Sequence, residues 1–353
     1  MSSQNNQIGR GPQRRGAPSG RSHFLGRLLV VVTVLGLVMP AWATSQLGLR
    51  AHNPMTQVYG IPTVQGGYLL PEGASALHMD VSLVTHADAG GNRREQLVLD
   101  GETYQLNLGY AWALNDRWML SIDVPWSQYS GGFMDSTIEE FHQLIGADNS
   151  QRDGPKNRMR FFYARDGVVL ADVDGGAGGL GDIRLGATYR LSGGIDSSYA
   201  LVARLGVKLP TGEAEELTGS GATDVALSLG YDQTQWLGVK PLSLHAEVGV
   251  VALGNGDVLP DQQESTVYFG GLGVSWAFNE RWQLMTQFAA SSALFDSDLA
   301  ELGSRTVQLG IGLAYQPAVS PWRIRLGFVE DVWSDVTPDF GLQFEFEYRL
   351  GGR

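Results

Sequence analysis

The residues best suited to chemistry in this chain are scattered, and few stand at spacings that define a reaction. Ser220 lies between glycines in "LTGSGATD" (from Leu217), and His245 follows one predicted strand later, beside Ser228. A serine, an imidazole and a carboxylate or amide behind it are the parts of a nucleophilic hydrolase. A nucleophile elbow, however, needs a strand-to-helix turn, and Ser220 precedes an alternating, strand-like run. An outer-membrane hydrolase using Ser220 or Ser228 with His245 is therefore an alternative, and no catalytic residue is assigned. In "DSTIEEFHQLIG" (from Asp135) a capping box, Ser136 with Glu139, predicts a short helix. Its Asp135, Glu139, Glu140 and His142 have metal-ligand chemistry, but a solvated helix face accounts for them better. No metal and no cofactor are expected. "GGAGGLG" (from Gly175) lacks the Lys-Ser/Thr and the helix of a phosphate loop.

The remaining charged residues fall at alternate positions in half-apolar runs. By parity one face carries His78, Asp80, Asp123, Asp182, Arg184, Arg204, Lys208, His245, Glu247, Arg323, Arg325, Glu345 and Glu347. The other face is apolar. From Tyr104 the even positions read Tyr104, Leu106, Leu108, Tyr110, Trp112, Leu114, and the odd ones Gln105, Asn107, Gly109, Ala111, Ala113. A sustained period of two is the strand signature. A sandwich core wants large residues inside. Here the partner face is polar or tiny, as in a barrel whose large residues meet lipid and whose small or polar ones meet the lumen.

Twelve such segments can be marked: 74–86, 101–114, 117–128, 180–191, 198–210, 222–232, 240–252, 266–278, 281–291, 304–315, 322–331 and 339–350. Short connections alternate with long ones near 87–99, 129–179, 211–221, 253–265, 292–303 and 332–338. The fold class is all-β: a transmembrane antiparallel barrel of about 12 strands, with short periplasmic turns and longer extracellular loops. "RFFYARDGVVLADV" (from Arg160) predicts a hairpin turning at Asp166-Gly167. "WALNDRW" (from Trp112) and "WAFNERW" (from Trp276) read as two periplasmic hairpins. Their tryptophans, Trp112, Trp118, Trp276 and Trp282, with Trp322, form an aromatic girdle at headgroup depth.

Residues 1–43 read as a secretory signal peptide. Five arginines and no acid precede the apolar run Leu28–Met39, and Ala41 and Ala43 make a small-residue cleavage site. The run is too short to span a membrane as a helix. Residues 44–72, with Pro54, Pro62 and Pro71, are expected to insert as a small plug or to lie across the periplasmic mouth, and 73–353 to form the barrel. The whole chain carries a net charge of −12, and removing the leader makes it more acidic. That argues against nucleic acid as a partner and, for a channel, predicts cation preference. The chain has no Cys, so neither disulfides nor thiolate chemistry are available.

Seven stretches resemble a family of Gram-negative outer-membrane proteins known as a domain of unknown function (3187). They are "NPMTQVYGIP" (from Asn53), "DGETYQLNLGYAW" (from Asp100), "GGFMDSTIEEFHQLIG" (from Gly131), "GLGDIRLG" (from Gly179), "KLPTGE" (from Lys208), "GSGATDVALSLGY" (from Gly219) and "VEDVWSDVTPDF" (from Val329). The resemblance implies an outer-membrane barrel and supplies no catalytic residues. The function expected is a passive channel or uptake barrel for small solutes, with a structural or assembly barrel as the second reading. Outer-membrane lipid and the barrel-assembly machinery are the expected partners. The machinery would read the aromatic alternation of "FGLQFEFEYRL" (from Phe340). On the lumen face Arg323 and Arg325 should stand beside Glu345 and Glu347, and these beside His78 and Asp80. Strands four and five should form a basic wall opposite.

Overall fold

A computed structural model describes residues 46–50, 53–132, 158–194, 197–318, 320–332 and 340–351. The Asp135–His142 group lies outside them. The strands are β1 (Ser75–Gly91), β2 (Glu95–Ala113), β3 (Trp118–Ser130), β4 (Arg160–Arg165), β5 (Val168–Val173), β6 (Gly178–Leu180), β7 (Arg184–Gly193) and β8 (Tyr199–Lys208). They continue with β9 (Asp224–Thr234), β10 (Leu242–Ala252), β11 (Thr266–Ala277), β12 (Trp282–Ser291), β13 (Thr306–Tyr315), β14 (Trp322–Asp331) and β15 (Phe340–Leu350). Among the described residues, helix is limited to a turn at Trp236–Gly238 and to α1 (Ala300–Gly303). Neighbouring strands are antiparallel, and β1 pairs with both β2 and β15, so twelve of them close into a barrel. Closure removes the free edges that an open sheet would expose.

The expected parity holds around the wall. Leu77, Leu108, Leu227, Val248, Leu272, Phe288 and Leu326 are exposed on the outside, where they form the apolar surface a bilayer requires. The intervening residues are buried and mostly polar or small, among them Ser82, Asn107, Thr188, Ser275 and Gln343.

Both tryptophan hairpins are held by one device. The Asn115 side-chain carbonyl accepts from the backbone N–H of Arg117 and of Trp118, each at 2.9 Å. Asn279 accepts from Arg281 at 2.8 Å and Trp282 at 3.0 Å. An Asx turn of this kind lets the side chain replace a ladder acceptor where the chain reverses. In each copy the outgoing tryptophan tilts onto a tyrosine of the next strand, Trp118 on Tyr189 at 4.7 Å and Trp282 on Tyr315 at 4.6 Å. Repetition of the motif thus has a local cause in addition to the girdle.

One connection departs from expectation. Residues 87–99 do not form a loop: β1 and β2 stay in register up to Gly91 and Gln96 and turn at 92–94. Beyond Glu102 the partner strand β3 has ended, leaving the far edge of β2 open, and β4 takes its place against Glu95–Asp100. Pairing that edge satisfies its backbone groups. The β4–β5 turn lies at Asp166-Gly167, both with positive φ (51° and 78°), as a two-residue hairpin demands. Arg94 grips Asp166 at 2.8 Å and holds its carboxyl below the usual range.

An apolar core lies at the loop end and inside the ring. Leu97, Leu99, Phe161 and Tyr163 from the raised arms meet Tyr129, Leu217, Leu259, Phe295, Leu299 and Leu302 from β3 and the loops. Met55, Val58 and Tyr59 join them from the chain that precedes the barrel. Burying side chains of this size contributes about 1.5–3 kcal/mol each, which is why these loops fold inward.

The parity has a direct test. Phe344 pairs outward with Val81 and Leu326, whereas its neighbour Gln343 turns in and donates to the Gly48 carbonyl at 3.1 Å. An outward Arg near the bilayer midplane costs about 2–4 kcal/mol. Phe344→Arg should therefore reduce the fraction of protein that reaches the heat-modifiable, SDS-resistant form. Wild-type yield of that form would mean the face is inverted.

Candidate functional site

Described residues of the segment 46–72 run along the inside of the wall and bond to it through their own backbone. Gln287 on β12 grips Leu47 twice: its Oε1 accepts from the Leu47 N–H at 3.1 Å, and its Nε2 donates to the Leu47 carbonyl at 2.9 Å. The Gly48 N–H donates to Glu345 Oε1 at 2.8 Å, the Gly60 N–H to Asp224 Oδ2 at 2.8 Å, and the Gln65 N–H to Glu247 Oε2 at 2.6 Å. An irregular chain inside a barrel has no ladder, so its amides must find side-chain partners. Wall carboxylates supply them. The Tyr59 hydroxyl donates to the Val258 carbonyl at 2.6 Å, and burial holds that phenol well above its ordinary pKa, so it stays a neutral donor.

Between those side chains, the wall facing the segment is glycine at five positions. Added Cβ atoms on Gly310, Gly312 and Gly327 would press on Leu47 or Leu49, and one on Gly271 on Val64, all at or under 3.0 Å. On Gly230 a Cβ would stand 1.9 Å from the Gly66 carbonyl oxygen. Glycines that alternation alone marks as small lumen residues are thus seats for this segment.

A knot of charge joins the segment to the wall and to two loops. Lys208 at the end of β8 is fully buried, and its Nζ donates to Asp182 Oδ2, Ser220 Oγ and, at 2.9 Å, the Ala222 carbonyl. Asp224 Oδ2 lies 3.2 Å away. Asp182 also accepts from the N–H groups of Thr211, Gly212 and Ser220, and Asp224 from those of Gly60 and Gly254. Three stretches that read separately along the chain, "GLGDIRLG", "KLPTGE" and "GSGATD", supply Asp182, Lys208, Ser220 and Asp224. They converge at one point.

All thirteen lumen residues lie on the inner face or line its cavities. The registers Arg323↔Glu347, Arg325↔Glu345, His78↔Glu347 and Asp80↔Glu345 bring the last strands and the first together. Arg325 bonds Glu345 at 2.6 Å and Glu347 at 3.3 Å, while Arg323 donates to Gln316 Oε1. His78 meets Asp123 at 2.8 Å, and Asn107 donates to both Asp80 and Asp123. Opposite, two members of the basic wall are engaged: Lys208 as above, and Arg204, which pairs with Glu247 at 3.0 Å. The acidic excess of the whole chain therefore does not carry over to the lumen, whose carboxylates hold cations and backbone amides. Sequence reasoning did not single out Gln287, Asp224 or Arg50. Asp224 shares its inward parity with Ala226 and Ser228, so periodicity would have found it; Gln287 is placed by the segment it binds.

The hydrolase arrangement is not assembled. Ser220 is buried against Lys208, Ser228 donates to Glu247 at 2.6 Å, and His245 meets Gln287 at 2.8 Å. Neither serine contacts the imidazole. The girdle tryptophans all lie at the short-turn end, with Trp112, Trp118 and Trp282 exposed there. Among the described residues no cluster of metal-ligating side chains is found. What the lumen retains is space. One cavity of ≈190 Å³ lies between the segment and β1, β2, β14 and β15, and another of ≈80 Å³ between the segment and β7–β10. Each has room for several waters.

Comparison with known proteins agrees with this architecture. The family model described as "Protein of unknown function (DUF3187)" matches residues 27–350. An outer membrane channel from Pseudomonas putida F1 superposes with a TM-score of 0.53 at 14% identity, covering 80% of this chain and 97% of that one. The NanC porin gives 0.42 at 9% identity, with 77% and 100% covered. The toluene transporter TodX of Pseudomonas putida gives 0.37 at 11%, with 87% and 99% covered. At these identities the first likeness speaks to fold, and the other two add nothing to it. No curated protein matches the chain.

Removing one partner of a buried ion pair typically costs about 3–5 kcal/mol. Lys208→Met, which leaves Asp182 and Asp224 facing each other in the knot, should lower the temperature of heat modification markedly. A variant that melts like wild type would show that the knot does not stabilise the barrel.

Proposed function

This chain belongs to the family described as "Protein of unknown function (DUF3187)", and we propose that it is a passive channel of the outer membrane for small solutes, plugged by its own residues 44–72. The observation that carries the reading is how the lumen is filled. A barrel that serves only as scaffold can be filled by its own wall side chains. Here wall glycines make room at Leu47, Leu49, Val64 and Gly66, and the chain ahead of β1 occupies the space. Such a filling can leave without unfolding the barrel.

The holding forces fit that role. Besides Met55, Val58 and Tyr59 in the apolar core, the segment is bound by neutral amide to carboxylate or carboxamide bonds at Gln287, Glu345, Asp224 and Glu247, each net worth about 1–3 kcal/mol. Glu345, Asp224 and Glu247 line the cavities, whose water could hydrate them once the segment withdrew. Below the apolar loop core, the polar cavities supply the lower half of a path. On this reading residues 1–43 direct export, the tryptophan girdle meets lipid headgroups, and β15 presents its alternating aromatics to the assembly machinery.

Recording on planar bilayers tests the proposal. Wild-type protein should show brief openings of small conductance. A variant lacking residues 46–66 but retaining β1 should show larger, long-lived steps. Both proteins must first pass the heat-modification assay. If the folded, segment-free barrel is silent, the channel reading fails and a structural role takes its place.

A further inference from the structure

Two guanidinium groups in the lumen form no ion pair with an acidic side chain among the described residues, and each buries N–H groups without an acceptor. Nε and Nη1 of Arg184, on β7, are buried without a hydrogen-bond partner, and its Nη2 reaches only the Gln57 carbonyl, at 3.4 Å. On the segment, Nη1 of Arg50 is likewise buried and without a partner. The nearby acids are engaged elsewhere. Asp123 stands opposite Arg184 in the ladder but bonds His78 and Asn107. Asp182 and Asp224 close on Lys208. Glu247 takes Arg204, Ser228 and the Gln65 N–H, and Arg204 itself keeps a buried Nε with no partner.

These three arginines line a single cavity of ≈80 Å³, walled on one side by β3 and β7–β10 and on the other by residues 60–65 of the segment. The hydroxyls of Thr63 and Ser121 line it too, as do Lys208 and the carboxylates of Asp123, Asp224 and Glu247, which are already engaged with His78, Lys208 and Arg204. A buried guanidinium whose N–H groups lack acceptors is unfavourable, and an anion supplies those acceptors. Guanidinium groups present N–H pairs in a planar fork that matches a carboxylate through two parallel bonds. The volume suits a carboxylate on a short stem and excludes an oligosaccharide.

We infer that the cavity between Arg50 and Arg184 is a binding site for the carboxylate of a small organic anion. Because Arg50 belongs to the segment and Arg184 to the wall, the bound anion bridges the two. Occupancy therefore strengthens the hold of the segment on the barrel. This goes beyond the channel reading and does not need it, since binding is measured on full-length protein in detergent.

Calorimetric titration with acetate, at constant ionic strength against chloride, is the test. Acetate should bind the wild-type barrel and raise its temperature of heat modification. Arg184→Gln and Arg50→Gln should each weaken binding roughly tenfold or more, the loss of a charge-assisted pair. Arg184→Lys, which keeps the charge and loses the fork, should fall between. Without acetate, Arg184→Gln should melt at or above the wild-type temperature, because it removes a buried charge that has no ion pair and unmet N–H groups. A residue that only props the wall would lower it. Equal heats for chloride and acetate overturn the carboxylate assignment. Acetate binding unchanged in Arg184→Gln, or absent from the wild type, overturns the site. A protein that binds acetate yet is silent on bilayers, with or without the segment, would sink the channel reading and leave this site standing.

Discussion

A buried lysine held between two aspartates is the contact on which much of this lumen depends. Lys208 sits where β8 ends, Asp182 just ahead of β7, and Asp224 at the start of β9. A single ammonium in a confined site is unfavourable without counter-charge, and so is either carboxylate. The three therefore fix one another's positions, and through their remaining lone pairs they fix backbone. Asp182 orders the 211–220 loop through three N–H groups, and Asp224 reaches Gly254 in the next loop and Gly60 in the inserted segment. One ionic knot thus sets the end of three strands, the path of two loops and the depth of the segment.

The barrel wall and its contents obey different rules. Ladder hydrogen bonds hold the wall, and any sequence with the right alternation can make them. The contents lack a ladder. Their amides are met by Gln287, Glu345, Asp224 and Glu247, and their side chains by glycine seats and by the apolar core at the loop end. Inner-wall residues consequently answer to two neighbours, the adjacent strand and the segment, whereas outer-wall residues answer only to lipid. The same division explains why cations remain in the lumen of an acidic chain: its inward acids are committed to amides and ion pairs, and Arg184 and Arg50 are left over.

Much of the architecture was legible along the chain, because it rests on a local period. Alternation from Tyr104 to Leu114, and again around the two tryptophan hairpins, follows from strand geometry and from a surface that must be apolar outside. Strand number, strand parity, the Asp166-Gly167 turn and the facing of Arg323 and Arg325 with Glu345 and Glu347 all descend from that rule. The extended β1–β2 arms are not legible as strand, since "HADAGGN" lacks large residues on either face and its pairing depends on β2 alone.

What the tertiary structure decided is everything that depends on closure. Residues 46–72 have no period, so nothing in them says whether they lie inside or outside a barrel; Gln287 and the glycine seats, hundreds of residues away, place them within. Asp182, Lys208 and Asp224 are unremarkable apart in the chain and become a unit only when β7, β8 and β9 are side by side. Ser220 and His245, which share a chemistry on paper, are held apart because each is claimed by a nearer partner, Lys208 and Gln287. A strand's inward face is written in its own residues by period-two geometry. Which inward groups meet across a lumen is set by strand register and by what fills the space, and neither is a local property of the chain.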